Sequence, residues 1–292
     1  MNEPRSRFRS AARACTLLLL MSAFPAIPSA QETAAPPPAA PPPAAQPEIS
    51  GDHRLVLFEN FISDAALVRS TWLEARADYA DYGNGGHDTT TQAIVAFSLA
   101  DKVELGGSFG YLDRERSEDQ TIFGERLGSD VSNNGFSDVN VYGKFVFKPG
   151  KRPWAAGFLI KFPTADEKEL LGSGAADYEL FVGNRRPGTR ATWIWNAAVR
   201  FNGDPDFSGG GSGQTSAAAA GGLIMKLSYS WAFLAEARYE TRRYDGDDNY
   251  FALMPSVDFR PTENIALRLG AAFGLTDGAP NVDYTFGFVF HM

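Results

Sequence analysis

The chain has 292 residues, is 44% hydrophobic and 21% charged, and carries a formal net charge of −8. That acidic balance argues against nucleic-acid binding, where a basic surface supplies most of the affinity. Mean hydropathy is −0.22, and no stretch beyond the N-terminus offers the ~18 consecutive apolar residues of a membrane-spanning helix; a β-barrel stays open, because its strands meet lipid only at every second residue.

Residues 1–30 read as a secretory signal. Arg5, Arg7, Arg9 and Arg13 form a basic start, Ala14 to Ala23 an apolar core, and Phe24-Pro25-Ala26-Ile27-Pro28-Ser29-Ala30 a small-residue site for cleavage after Ala30. Cys15, the only cysteine, precedes the apolar core, where a lipoprotein cysteine would follow it. Lipidation is therefore not expected, and the mature chain has no thiol and no disulfide. Losing four arginines and Glu3 moves the net charge from −8 to −11. Residues 31–50 are a Pro/Ala-rich linker. Within them Ala34 to Pro47 predict an extended polyproline-like spacer, since proline fixes φ and lacks an N–H. It serves as an inert tether or as a ligand for a proline-recognising periplasmic partner. Residues 51–70, with Leu55-Val56-Leu57-Phe58 and Phe61-Ile62, are a periplasmic lead-in or a plug, and periodicity does not choose between helix, strand and plug.

From Thr71 onward the period is two. Leu73, Ala75, Ala77 and Tyr79 alternate with Glu74, Arg76 and Asp78, and Val139, Val141, Gly143, Phe145 and Phe147 alternate with Asp138, Asn140, Tyr142 and Lys144. Such alternation marks strands with one apolar and one polar face. Extended over residues 71–292 it predicts strands at 71–82, 89–99, 103–112, 137–148, 153–162, 176–184, 189–201, 215–227, 231–243, 250–260, 265–276 and 282–292. The fold class is all-β: an antiparallel transmembrane β-barrel of about twelve strands, with ten or fourteen as alternatives. Every odd connection is longer than every even one, as expected of outer loops and periplasmic turns in the outer membrane of a bacterial cell.

The aromatics sort by strand end. On the apolar faces Phe147, Trp154, Trp193, Trp231, Phe259 and Phe290 fall near the short turns, whereas Tyr111, Phe162, Phe201, Tyr239, Phe251, Phe273 and Tyr284 fall near the long loops. Two girdles suit the two membrane–water interfaces. Trp72 has the parity of the polar face. The chain ends on a strand in which Thr285, Gly287, Phe290 and Met292 resemble the C-terminal targeting signal of outer-membrane barrels, with Met in place of the commoner terminal Phe. The resemblance implies two partners, outer-membrane lipid and the barrel-assembly machinery.

A second resemblance lies in the middle of the chain. Gly135-Phe136-Ser137-Asp138-Val139-Asn140-Val141-Tyr142-Gly143-Lys144, then Phe162-Pro163-Thr164-Ala165, Leu171-Gly172-Ser173-Gly174 and Asp177-Tyr178 resemble an outer-membrane transporter family linked to a MetA pathway of phenol degradation. That family pairs a G-x-x-D strand opening with a later L-P-T-G and G-x-G; here Phe162 replaces the Leu and Ala165 the Gly. The resemblance implies uptake of small, aromatic or hydrophobic solutes.

The polar faces place Glu74, Asp78, Glu104, Asp138, Asp177, Glu179, Glu236, Glu240, Asp258 and Asp283 in the lumen with Arg76, Lys144, Lys161, Arg200, Lys226, Arg238 and Arg268. These charges either pair into a ladder that fills the lumen or line a narrow hydrated pore, since twelve strands lie between a filled and an open barrel. Small inward residues (Gly106, Ser108, Gly110, Gly270, Ala272 and Gly274) and the family resemblance favour the pore. His53, His87 and His291 fall too far apart for a nucleophile, base and orienting group to meet, and GxSxG is absent. Asp245-Gly246-Asp247-Asp248-Asn249 starts like a calcium loop but lacks its later glycine and glutamate, so it reads as a surface loop. The connection 113–136 is expected as a solvated loop rather than as a constriction folded into the lumen. The reading is a passive small-solute channel with no cofactor and no covalent step. A closed structural or interaction barrel is the rival, and an outer-membrane lipid-modifying enzyme the third.

Overall fold

The computed structural model describes residues 55–68, 71–207 and 209–292; the signal, the Pro/Ala linker and His53 lie outside them. The alternating segments all become strands: β1 (Trp72–Gly83), β2 (Gly86–Ala100), β3 (Val103–Arg116), the two-residue pair β4 (Thr121–Ile122) and β5 (Glu125–Arg126), β6 (Val131–Phe136), β7 (Val139–Lys148), β8 (Trp154–Phe162), β9 (Asp177–Pro187), β10 (Ala191–Phe201), β11 (Thr215–Lys226), β12 (Trp231–Glu240), β13 (Tyr250–Phe259), β14 (Ile265–Gly274) and β15 (Val282–His291). β6 and β7 pair with successive parts of β3, so they form one stave interrupted at Ser137 and Asp138. β4 and β5 pair only with each other. Every stave is antiparallel to its neighbours, and β1 pairs with β15 through Leu73↔Phe290 to Asp78↔Thr285. The sheet closes on twelve staves. Closure leaves no open edge, the condition for strands in hydrocarbon.

Two boundaries differ from the periodicity. Residues 83–88 were expected as a loop, but only Asn84 and Gly85 connect β1 to β2. Both have positive φ, 51° and 83°, the geometry of a tight hairpin turn that lets the ladder run to its tip. This connection is therefore short, and His87 lies in β2. The other connections at that end keep the pattern, from residues 275–281 up to residues 117–130, against 101–102 to 149–153 at the opposite end. The second difference is at β9, which runs past 184 to Pro187 and so brings Arg185 into the wall.

The outer face is apolar. Phe147, Trp193, Trp231 and Phe290 are exposed toward the short turns, and Tyr111, Phe162, Phe201, Tyr239, Phe273 and Tyr284 toward the long loops. Leu180, Leu253, Leu269 and Phe288 are exposed between them. Such a belt is stable only against lipid. Trp72 follows its parity inward: it is fully buried, stacked on Phe61 at 4.9 Å and edge-on to His291 at 4.7 Å.

Orientation is testable because the mature chain is expected to have no cysteine. With long loops outside the cell, Ser129→Cys should react with a membrane-impermeant maleimide on intact cells, and Lys151→Cys only after permeabilisation. The reverse pattern would contradict the orientation.

Candidate functional site in the barrel lumen

The interior is not lined by barrel residues alone. Residues 55–68 enter the short-turn half of the lumen as an irregular finger and bury Leu55, Val56, Leu57, Phe58, Phe61, Ala65, Ala66, Leu67 and Val68. Unlike a strand, the finger has no ladder to satisfy its backbone. In an enclosed space each unmet N–H or C=O is costly, so its partners come from side chains. Glu236 on β12 accepts from the N–H groups of Phe58 (2.6 Å), Glu59 (3.2 Å) and Asn60 (3.0 Å) and from Asn60 Nδ2 (3.0 Å). Glu104 on β3, half-way round the ring, accepts from Val68 N (2.6 Å) and the Tyr142 hydroxyl (2.9 Å), and lies 3.1 Å from Lys144 Nζ. The finger carbonyls face cations: Leu55 O takes Arg185 (2.6 Å), Val56 O takes Arg268 (2.9 Å), Phe58 O takes Arg76 (3.0 Å) and Asp64 O takes Lys144 (3.0 Å). Asp64 also pairs with Arg185 at 2.7 Å and accepts from the Leu57 and Ala66 N–H groups, closing the finger on itself. The Phe58 ring lies between the Arg76 and Arg268 guanidiniums, at 4.8 and 4.2 Å.

Glycines make room for this insertion. A Cβ at Gly222 would lie 2.4 Å from Leu57, one at Gly183 2.2 Å from the Ser63 carbonyl, and one at Gly287 3.1 Å from the Phe58 ring. The small inward residues expected to leave open volume are likewise packed. A Cβ at Gly106 would lie 2.4 Å from the Tyr142 ring, at Gly110 2.7 Å from Thr91 O, at Gly270 2.3 Å from Met254 and at Gly274 2.1 Å from Pro280 O; Ala272 is buried in a cluster with Phe58. That argument for a pore is overturned, because larger neighbours and the finger occupy the space.

Fourteen of the seventeen expected lumen charges fall into three groups, with Asp78, Asp283 and Lys226 apart from them. Glu74, Arg76, Glu104, Lys144, Glu236, Asp258 and Arg268 surround the finger, with Arg268 3.6 Å from both Glu74 and Asp258. Glu179, Arg200, Arg238 and Glu240 form a second network nearer the long loops: Arg200 pairs with Glu179 and lies 3.2 Å from Glu240, which Arg238 also meets at 2.8 Å. Asp78 and Asp283 face the same half of the lumen from β1 and β15, with Gln92 donating to Asp78 at 3.1 Å. Lys226 is exposed at the short-turn end, where it lines a cavity of about 230 Å³ with Leu55 and Arg260.

Asp138, Lys161 and Asp177 form the third group and explain the family-like motif. Asp138 accepts from the N–H groups of Thr164 and Ala165, both at 3.0 Å, and Thr164 Oγ1 accepts from Val139 N. Lys161 bridges Asp138 (3.5 Å), Asp177 (2.9 Å) and Ser173 Oγ (2.6 Å). A Cβ at Gly172 would lie 2.8 Å from the Asp138 carboxylate, and one at Gly135 2.6 Å from Leu171. The motif residues thus clasp β7, β8 and β9 together at the long-loop end, a structural task that does not select a solute.

Above the finger lies a cavity of about 620 Å³ lined by Glu59, Tyr82, Arg114, Arg116, Arg238, Arg243, Tyr250 and Asp283. The connection expected as a solvated loop covers it. β3 and β6 extend the barrel wall, and the β4–β5 turn reaches the opposite rim. There Gly124 N donates to Asp247 Oδ1 (2.9 Å), Gly211 N donates to Phe123 O (3.0 Å), and Phe123 packs on Phe207 and Tyr244. Burial pushes the Asp247 carboxyl above its ordinary range, against the Gly124 bond that lowers it. The Asp245–Asn249 stretch is therefore the latch of that turn. His87, beside Glu115 at 3.9 Å, and His291, beside Trp72, sit at opposite ends of the barrel.

Sequence reasoning missed Asp64, Arg185, Asp88, Arg114, Arg116 and Arg243. Arg185 was within reach, since Asp177, Glu179, Phe181, Gly183 and Arg185 share a parity; the turn-like Arg186-Pro187-Gly188 hid it.

Two solved structures share this geometry. The barrel superposes on an outer-membrane channel from Pseudomonas putida F1 with a TM-score of 0.61 and 14% identity, over 79% of this chain and 98% of that one. It superposes on the KdgM porin with a TM-score of 0.51 and 9% identity, over 76% of this chain and 99% of that one. The fold is that of an outer-membrane barrel. No family model and no curated protein matches the sequence.

The finger's seat has a measurable worth. Asp64→Ala strands Arg185 inside the wall, and breaking a buried pair costs about 3–5 kcal/mol. Finger opening, read as the rate of Glu-C cleavage after Glu59, should accelerate more than about a hundredfold, and adding Arg185→Met should restore part of the loss. An unchanged cleavage rate in Asp64→Ala would contradict the assigned seat.

Proposed function

We propose that the chain is an outer-membrane channel through which small solutes enter passively from the long-loop side. The observation that carries this reading is the lumenal cavity of about 620 Å³ between the β4–β5 turn and the finger. A purely structural barrel of this size has no need of a hydrated, charge-lined chamber. Passage beyond it runs along or past the finger, whose anchors are hydrogen bonds and ion pairs that water can replace. The lining, with five arginines, seven carboxylates and the tyrosines Tyr82 and Tyr250, supports polar solutes. A hydrophobic solute would lose affinity to the cost of desolvating those groups. Catalysis is not part of the reading. The terminal residues Thr285, Gly287, Phe290 and Met292 are proposed to be read by the barrel-assembly machinery, with Phe290 and Met292 exposed to receive it; Gly287 has a second role under Phe58.

A closed interaction barrel is the second reading, favoured by the finger and the fully buried pairs around it. Planar-bilayer recording separates the two. The full chain should give small unitary conductances, and Glu236→Ala, which removes four hydrogen bonds to Phe58, Glu59 and Asn60, should raise the conductance or open probability several-fold. Silence from both folded proteins would contradict the channel.

A further inference from the structure

The large cavity is lined by both signs of charge, five arginines with seven carboxylates that include Asp119, Asp247, Asp248 and Asp277, and they differ in how far each is met. On β12 and just beyond it, Arg238 and Arg243 share one carboxylate: Arg238 Nη2 lies 2.8 Å and Arg243 Nε 2.7 Å from Glu240. Arg200 draws on the same Glu240 at 3.2 Å and on Glu179. Three guanidiniums thus share two carboxylates within ion-pair distance. On β3, Arg114 and Arg116 lie 3.3 and 2.7 Å from the single carboxylate of Asp88. Glu240 cannot saturate its neighbours, because one guanidinium carries five donors and a carboxylate accepts from few. Arg243 keeps nearly half of its side chain exposed.

On β15 and at the finger the reverse holds. Asp283 lines the cavity, and its Oδ1 is buried without a hydrogen-bond partner among the described residues. Asp78 lies beneath it, across the β1–β15 ladder. Among the described residues Glu59, at the tip of the finger, has Arg238 alone within ion-pair distance, at 4.0 Å. Arg76 is committed to Glu74 at 3.1 Å and to Phe58 O. Tyr250, opposite Glu240 on the β12–β13 ladder, lines the cavity as well. A buried acceptor left unpaired is costly unless something in the cavity supplies a cation or donor.

We propose that this cavity binds compact zwitterions, with the solute's ammonium toward Asp283 and Glu59 and its carboxylate toward Arg238 and Arg243. Acceptors short of donors and guanidiniums short of acceptors thus line one chamber, so a solute with a single charge satisfies one set and is repelled by the other. The volume exceeds the ~30 Å³ of a water molecule many-fold and leaves room for a small solute with part of its hydration. This names the solute class of the proposed channel and rests on that reading only for transport, not for binding.

The test is calorimetric titration of the detergent-solubilised full chain with glycine betaine, tetramethylammonium and acetate. Betaine should bind at least tenfold more tightly than either single-charge ion. Asp283→Asn and Arg243→Gln should each weaken betaine at least tenfold, with the heat-modifiable folded band retained. Arg243→Gln should leave tetramethylammonium binding as tight or tighter, because a repelling charge is removed, whereas a general loss of structure would weaken it. Equal affinity for all three probes, no betaine binding, or betaine affinity untouched by both variants would overturn the site. Conductance without betaine binding overturns the site and leaves the channel reading standing; betaine binding in an electrically silent barrel leaves the site standing and overturns the channel.

Discussion

A charge inside a barrel wall must be met by another charge or a dipole, and the rest of this structure follows from how that demand is satisfied. Closing twelve staves puts Glu104 and Glu236 on opposite walls and Arg76, Arg185 and Arg268 between them, all buried. Wall residues alone do not pair them all. The finger completes the set with unpaired backbone: its N–H groups face the two glutamates and its carbonyls face the cations. A helix inserted there would have spent those groups on itself. Irregular backbone is tolerated at membrane depth where protein surrounds it, and here the irregularity is what makes the fit.

The same demand divides the lumen. In the short-turn half, charges are neutralised by the finger, and glycines at 183, 222 and 287 let it approach the wall. In the long-loop half the finger does not reach, so Arg238 and Arg243 share Glu240, Arg114 and Arg116 share Asp88, and Asp283 Oδ1 has no donor among the described residues. Both signs of incompletely met charge thus line the large cavity. The β4–β5 turn, latched at Asp247, covers this half without filling it. Filled and open are thus properties of different depths of one barrel.

The barrel itself was legible in the sequence because its cause is local: a period of two, turn residues at one end and aromatics sorted by height are each set within a few positions. The parity rule correctly placed even Trp72, an aromatic on the polar face. The interior was legible only as a set of inward residues. Reading Gly106 and Gly270 as empty space failed because what fills a glycine hollow comes from Tyr142 and Met254 across the sheet, which alternation cannot reveal. The finger was named as one of several possibilities for residues 51–70, since its barrel partners are 18 to 212 residues away in the chain. The motif around Asp138 carried a family resemblance, yet its residues build a clasp between β7, β8 and β9. A motif can be recognisable for a structural reason and still say nothing of the solute.

Amide hydrogen exchange of the full-length, detergent-solubilised chain tests the central claim most directly, because six finger amides have a named side-chain acceptor. The N–H groups of Leu57, Phe58, Asn60, Ala66 and Val68 should be protected to a degree approaching that of the barrel strands. Glu236→Ala should release Phe58 and Asn60 while Val68, held by Glu104, stays protected. Rapid exchange across residues 56–68 in the unmodified protein would show that the finger does not occupy the lumen, and the pairing scheme built on it would fail.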